Sequence, residues 1–164
     1  MGRQTKILDA DLAYIAGFLD GDGSIIVQVK NRTSGSKGWR LMFTICFYQD
    51  SRHERPLFWI KKKLGIGYIS KRNDGITELR INGYEQARSI LEKLYPYMKF
   101  KKKQAGYVLR ILKYLQTGKR FSQTTKRERL KITNAILKSR QETYQSGAKK
   151  MEKLQSDLAK ILEA

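Results

Sequence analysis

Ile15-Ala16-Gly17-Phe18-Leu19-Asp20-Gly21-Asp22-Gly23 is the stretch whose reading decides the fold. It closes an apolar-periodic segment in which Leu8, Leu12, Ile15 and Leu19 fall on one side of a helix, predicted over residues 8–20. Asp9 and Asp11 in the first turn suit the positive end of the helix dipole. The two glycines of Asp20-Gly21-Asp22-Gly23 predict its stop. Ala13 and Gly17, one helical turn apart, leave a nearly bare face that another backbone can approach closely.

Working outward, Ser24–Arg32 and Trp39–Tyr48 each alternate apolar and polar residues, which predicts two strands around a turn-rich loop. Ile25, Val27 and Val29 share a face, as do Leu41, Phe43, Ile45 and Phe47. A basic helix follows over His53–Leu64, with Leu57, Ile60 and Leu64 as its stripe. A second hairpin spans Gly67–Asn82 around Asn73-Asp74-Gly75, with Leu79 and Ile81 pointing inward and Glu78 and Arg80 outward. Helices are expected at about 84–95, 103–116, 125–142 and 148–162. Met151, Leu154, Leu158, Ile161 and Leu162 form the core stripe of the last one. The order is α+β, αββαββα with one antiparallel sheet and extra C-terminal helices. It reads as one domain over residues 1–164, a core at about 8–116 and a helical extension at about 117–164.

Charge narrows the partner. Thirty-four Lys+Arg against fifteen Asp+Glu leave a net +19 over 164 residues, which attracts a polyanion. A membrane is disfavoured because the early uncharged run Leu12–Leu19 is far short of a bilayer span. Asp9 and Asp11 would spoil a signal-peptide core, so the chain reads as intracellular, in an archaeal or bacterial cytoplasm or in an organelle. Cys46 is the lone cysteine and His53 the lone histidine, which excludes cysteine-rich and histidine-rich metal sites within one chain. A metal would be held mainly by oxygen, which points to Mg²⁺, with Mn²⁺ able to substitute. No small-molecule cofactor is expected.

The helix tip offers such oxygens. Its last carbonyls lack intrahelical partners and carry partial negative charge, and the Asp22 carboxylate and Gly21 carbonyl add to them. One chain supplies too few ligands for a closed cage. Two copies of the helix, with phosphate oxygens and water, would complete one.

The nine-residue string resembles Leu-Ala-Gly-Leu-Ile-Asp-Ala-Asp-Gly position by position, the motif of the LAGLIDADG homing endonucleases, and the αββαββα order resembles that family's core over residues 8–116. The resemblance implies a site-specific endonuclease that hydrolyses double-stranded DNA across the minor groove with a divalent metal and leaves short 3′ overhangs. A single motif implies a homodimer with Ala13 and Gly17 at the helix contact and a near-palindromic target. Asp22 from each subunit, with the Gly21 carbonyl, would ligate the metals. Asp20 would serve the helix end or the interface. Gln49, at the end of the second strand, matches a polar residue that orients water. Lys101, after Pro96-Tyr97, matches a lysine that approaches the active site. Where relatives carry an arginine just after this strand, this sequence offers His53, with Arg52 and Arg55 nearby.

A twisted sheet with one polar face can lie along the major groove, where Arg suits guanine and Gln suits adenine. Gln28, Lys30, Arg32, Arg40, Thr44, Ser70, Arg72 and Arg80 are the residues expected to face base edges. Lys61, Lys62, Lys63, Lys102, Lys103, Lys119 and Arg120 are expected phosphate contacts. Two rival readings keep the scaffold: an intron RNA maturase and a DNA-binding regulator that does not cut.

Overall fold

The structure is a computed structural model that describes residues 7–32, 38–115, 121–143 and 147–163. The loop expected after Arg32, the polar stretch containing Lys119 and Arg120, and the Arg32 side chain lie outside the described residues. Helices and an antiparallel sheet alternate in the expected order. Helix α1 covers Asp9–Asp22, strands β1 and β2 cover Gly23–Arg32 and Gly38–Asp50, and helix α2 covers Arg55–Leu64. Strands β3 (Tyr68–Lys71) and β4 (Ile76–Asn82) precede α3 (Tyr84–Leu94), α4 (Lys102–Tyr114), α5 (Lys126–Gln141) and α6 (Ala148–Glu163). The sheet order is β1-β2-β4-β3, with β4 antiparallel to both β2 and β3.

The chain divides into two compact units. One comprises Met1–Ile25 and Thr44–Phe100, the other Ile26–Phe43 and Lys101–Ala164. In the first unit the buried face of the sheet is Ile45 and Phe47 opposite Ile81 and Leu79. The stripe of Leu57, Ile60 and Leu64 on α2 is buried as its spacing predicts, and α3 buries Ala87, Ile90, Leu91 and Leu94. Both helices pack on β4, and α1 packs on α3 and the short turn Tyr95–Tyr97.

Helix α1 departs from expectation in two ways. It runs on through Gly21 to Asp22, because neither glycine adopts the left-handed conformation that would end a helix there. Gly23 serves a different need. A Cβ at this position would stand 2.8 Å from the Leu19 carbonyl and 2.9 Å from that of Cys46, so only glycine lets the chain pass from helix to strand here. The buried stripe also starts later than Leu8, which is 64% exposed. Ile15, Ala16, Leu19 and Asp20 are buried, whereas Ala13, Gly17 and Gly21 are exposed.

The second unit strings three helices together, α4 on α5 and α5 on α6. Val108, Ile111, Leu112, Ile132, Ile136, Leu158 and Ile161 supply its buried apolar side chains. Thr125 starts α5 with a capping box, its hydroxyl accepting from the Glu128 N–H while Glu128 accepts from the Thr125 N–H. Among the described residues, no helix is long and apolar enough to cross a membrane.

Candidate functional site

The last turn of α1 carries two carboxylates with different fates. Asp22 and Gly21 are exposed, and no basic residue occupies that turn. The tip therefore presents a carboxylate, the helix-end carbonyls and the negative end of the dipole together. Asp20 is 7% exposed, and its Oδ2 accepts the backbone N–H groups of Lys99 at 2.6 Å and Phe100 at 3.1 Å. It thus staples a segment seventy-nine residues downstream to the helix end. Among the described residues, no three His, Cys, Asp or Glu side chains gather into a metal cage.

Gln49 stands near the end of β2, half-buried and opposite Thr77, and its Oε1 accepts the Asp50 N–H at 2.9 Å. Of the three basic candidates beyond it, Arg52 is engaged. Its Nε donates to Asp50 Oδ1 at 3.0 Å and its Nη2 to Oδ2 at 2.8 Å. That guanidinium, with the Arg52 N–H, holds the Asp50 carboxyl well below the usual carboxylate range. His53 and Arg55 are exposed. The segment is anchored from behind by Glu54, which accepts from the Thr77 hydroxyl at 2.6 Å and pairs with Lys71 at 3.0 Å. Ser51 closes the cluster on Thr77 at 2.8 Å. The Thr77 bond, then Lys71, lowers the Glu54 pKa.

The other face of the sheet is polar, as its alternation requires, but its inner strands are not solvated. Thr44, expected to face outward, is 5% exposed and donates to Asn82 Oδ1 at 2.8 Å; Asn82 in turn donates to the Tyr68 hydroxyl at 3.2 Å. Glu78, also expected to point into solvent, is 5% exposed. It accepts from Arg72 Nη1 at 3.3 Å and from Arg80 Nη1 at 2.9 Å. The physical reason is strand order: β2 and β4 are the inner strands, Asn82 covers Thr44, and the Arg72 and Arg80 side chains close over Glu78. Ser70 is half-buried in register with Glu78, so Ser70, Arg72 and Arg80 gather round one carboxylate. Cys46 lies opposite Arg80; burial pushes its thiol up, so it stays protonated. A single acid among the basic residues of this face was the signal in the sequence for Glu78. Nothing local announced the Asp20 staple.

In the second unit, Gln28 and Lys30 are exposed on β1 and Arg40 is exposed on β2. Lys101 is the half-buried N-cap of α4, and the Ala105 N–H donates to its carbonyl at 2.8 Å. No acid occupies that first turn, where Lys102 and Lys103 follow. Positive charge at the positive end of a helix is locally unfavourable.

A motif helix ending on an exposed Asp22, followed by two strand pairs and a basic helix, defines the class. The chain belongs to the LAGLIDADG endonuclease family, whose pattern matches residues 15–114. It is 36% identical over 107 residues to the DNA endonuclease I-CvuI of Chlorella vulgaris, covering 65% of this chain and 66% of that protein. It is 33% identical over 115 residues to the DNA endonuclease I-CreI of Chlamydomonas reinhardtii, covering 70% of each. A crystal structure of I-CvuI in complex with its target in 2 mM Ca gives a TM-score of 0.71 at 29% identity, over 93% of this chain and 95% of that one. An archaeal intron-encoded homing endonuclease complexed with DNA gives 0.74 at 21% identity, over 95% and 99%, a likeness of fold.

Proposed function

We propose that the chain is a site-specific double-strand DNA endonuclease that works as a homodimer on a long, near-palindromic target. The observation that carries the reading is the α1 tip: an exposed Asp22 on a helix whose Gly17 and Gly21 have nothing within 4 Å of where a Cβ would stand. A helical glycine costs about 1 kcal/mol relative to alanine, and no neighbour among the described residues requires either one. A second copy of the helix, packed along Ala13 and Gly17, supplies that reason. Twofold symmetry then gives both DNA half-sites the same protein surface.

The donor set fits a divalent metal shared with the partner subunit and the substrate, since each chain brings one exposed carboxylate and one tip carbonyl. Asp22 and the Gly21 carbonyl would hold Mg²⁺, or Mn²⁺ in its place. Bound there, the ion supplies Lewis-acid stabilisation of phosphate charge and lowers the pKa of a bound water. Gln49 orients water by its amide, and Lys101 offers an ammonium to the phosphate charge that grows during hydrolysis. Cutting both strands across the minor groove leaves short 3′ overhangs. Gln28, Lys30, Arg32, Arg40, Ser70, Arg72 and Arg80 read bases. Thr44 acts behind them through Asn82, and Lys61, Lys62, Lys63, Lys102 and Lys103 grip phosphates.

The test is Asp22→Asn. The variant is expected to bind the target duplex in Ca²⁺ within about threefold of the parent and to lose at least about a hundredfold in Mg²⁺-dependent cutting. Cutting at the parental rate would remove Asp22 from the metal site.

A further inference from the structure

Glu78 lies on the sheet face assigned to DNA, where a polyanion makes a carboxylate the least favourable side chain. Its carboxylate is nearly buried, and one guanidinium sits on each oxygen, Arg72 on Oε1 and Arg80 on Oε2. Arg72 is held a second time, by Asp74 Oδ2 at 2.6 Å. The arginine side chains are 48% and 34% exposed against 7% for Glu78, so the acid forms the floor and the cations rise from it toward solvent. Two arginines and two carboxylates make this cluster neutral, in a chain whose net charge is +19. It adds little to the pull on phosphates, which the other basic residues supply. What it keeps is directional: Glu78 engages only the Nη1 group of Arg80, and a guanidinium has five N–H donors.

We propose that Glu78 is a specificity-determining residue that never touches a base. It fixes the forks of Arg72 and Arg80 toward base edges and, by cancelling their charge, withholds them from the nearest phosphate. The inference rests on the DNA-binding reading above and deepens it. A buried acid under a DNA-facing surface weakens binding to every duplex, and it weakens wrong duplexes most. There the arginines would otherwise swing onto the backbone, which has the same chemistry in any sequence.

The experiment compares Glu78→Gln with the parent in Ca²⁺. The duplexes are one enriched from a randomised library and a scrambled duplex of equal length. The parent is measured first. If it prefers no sequence, the DNA-reading assignment itself fails. Given a parental preference, Glu78→Gln is expected to bind the scrambled duplex about tenfold more tightly while affinity for the enriched duplex changes less than about threefold. The salt dependence on scrambled DNA should steepen by about one phosphate contact. Sequencing of bound fragments should show preference relaxed at one or two symmetric base pairs. Glu78→Asp, which keeps the charge, should stay near the parent on scrambled DNA. A residue that only supports the fold would lower affinity for both duplexes together and leave base preference unchanged, and that result overturns the proposal. Arg80→Lys keeps an ion pair with Glu78 but loses the fork, and serves if Glu78→Gln does not fold. It is expected to lose base preference without gaining affinity for scrambled DNA; unchanged preference would equally overturn the proposal.

Discussion

Asp20 and Asp22 stand on one helical turn, and about 200° of rotation separates their side chains. One is therefore buried when the other is exposed. The motif thus delivers an inward carboxylate that fastens Lys99 and Phe100 and an outward one open to solvent. Charge-assisted bonds to backbone N–H are roughly twice as strong as neutral ones, so a carboxylate suits the inward role. Asp20→Ala should free both amides, seen as faster hydrogen exchange at Lys99 and Phe100 than at the neighbouring helical amides. It should also cost about 1–3 kcal/mol of stability for the loss of these charge-assisted hydrogen bonds. Asp20→Asn, which retains a carbonyl acceptor, should protect them largely as the parent does. Unchanged exchange in Asp20→Ala would show that the staple contributes nothing. Asp22 was legible as an exposed carboxylate at the helix end because the motif and the helix end coincide. The Asp20 staple was not, since its partners lie across the chain and backbone N–H groups carry no sequence signature. The expectation that Asp20 serves the helix end or the interface thus missed its bond to a distant turn.

At the scale of elements, periodicity located nearly every helix and strand because each has one buried face. The stripe on α2 and the alternation of Leu41 and Phe43 with exposed Arg40 are examples. It failed where burial has another cause. Leu8 fits the α1 stripe by spacing yet is exposed, whereas Thr44 is polar yet buried with a cross-strand hydrogen bond to Asn82, and Glu78 is buried with Arg80 of its own strand and Arg72 of the preceding turn. Glycine was read as a stop in Gly21 and Gly23, but one is simply helical and the other makes room for the Cys46 carbonyl. The open face of α1 makes a prediction of its own. A Cβ at Gly17 meets nothing within 4 Å among the described residues, so a subunit carrying Gly17→Leu should fold with stability changed by no more than about 1 kcal/mol, as leucine favours helix over glycine. Sedimentation should nevertheless find the variant monomeric, and cutting should be lost. A dimeric Gly17→Leu protein that still cuts would place the subunit contact elsewhere.

For the whole molecule, charge sets the conditions under which it works. A chain of net +19 repels itself, and carboxylates held by cations or hydroxyls offset part of that strain. Glu54 is one of them. Its folded pKa is lowered, chiefly by the Thr77 hydroxyl and then by Lys71. The contribution of such a group is present above its unfolded value, near about 4.3, and disappears as pH falls toward the folded value. Melting temperature should therefore decline below about pH 5, and Glu54→Gln should shrink that decline while leaving the curve near pH 8 flat. A variant with the parental slope would assign the acid lability to other carboxylates. The family was legible because the nine-residue motif and the order of helices and strands occur together in one chain. The pairing on the sheet was not, because Glu78 joins Arg80 of its own strand to Arg72 beyond the hairpin turn, and alternation alone does not report that contact.

The central claim is tested most directly by incubating the pure protein with a randomised duplex library and Mg²⁺ and sequencing the cut ends on both strands. A symmetric consensus with one fixed 3′ stagger, absent with Asp22→Asn, is the predicted result. Cuts that are scattered, or that persist unchanged with Asp22→Asn, would contradict a twofold nuclease built on that carboxylate.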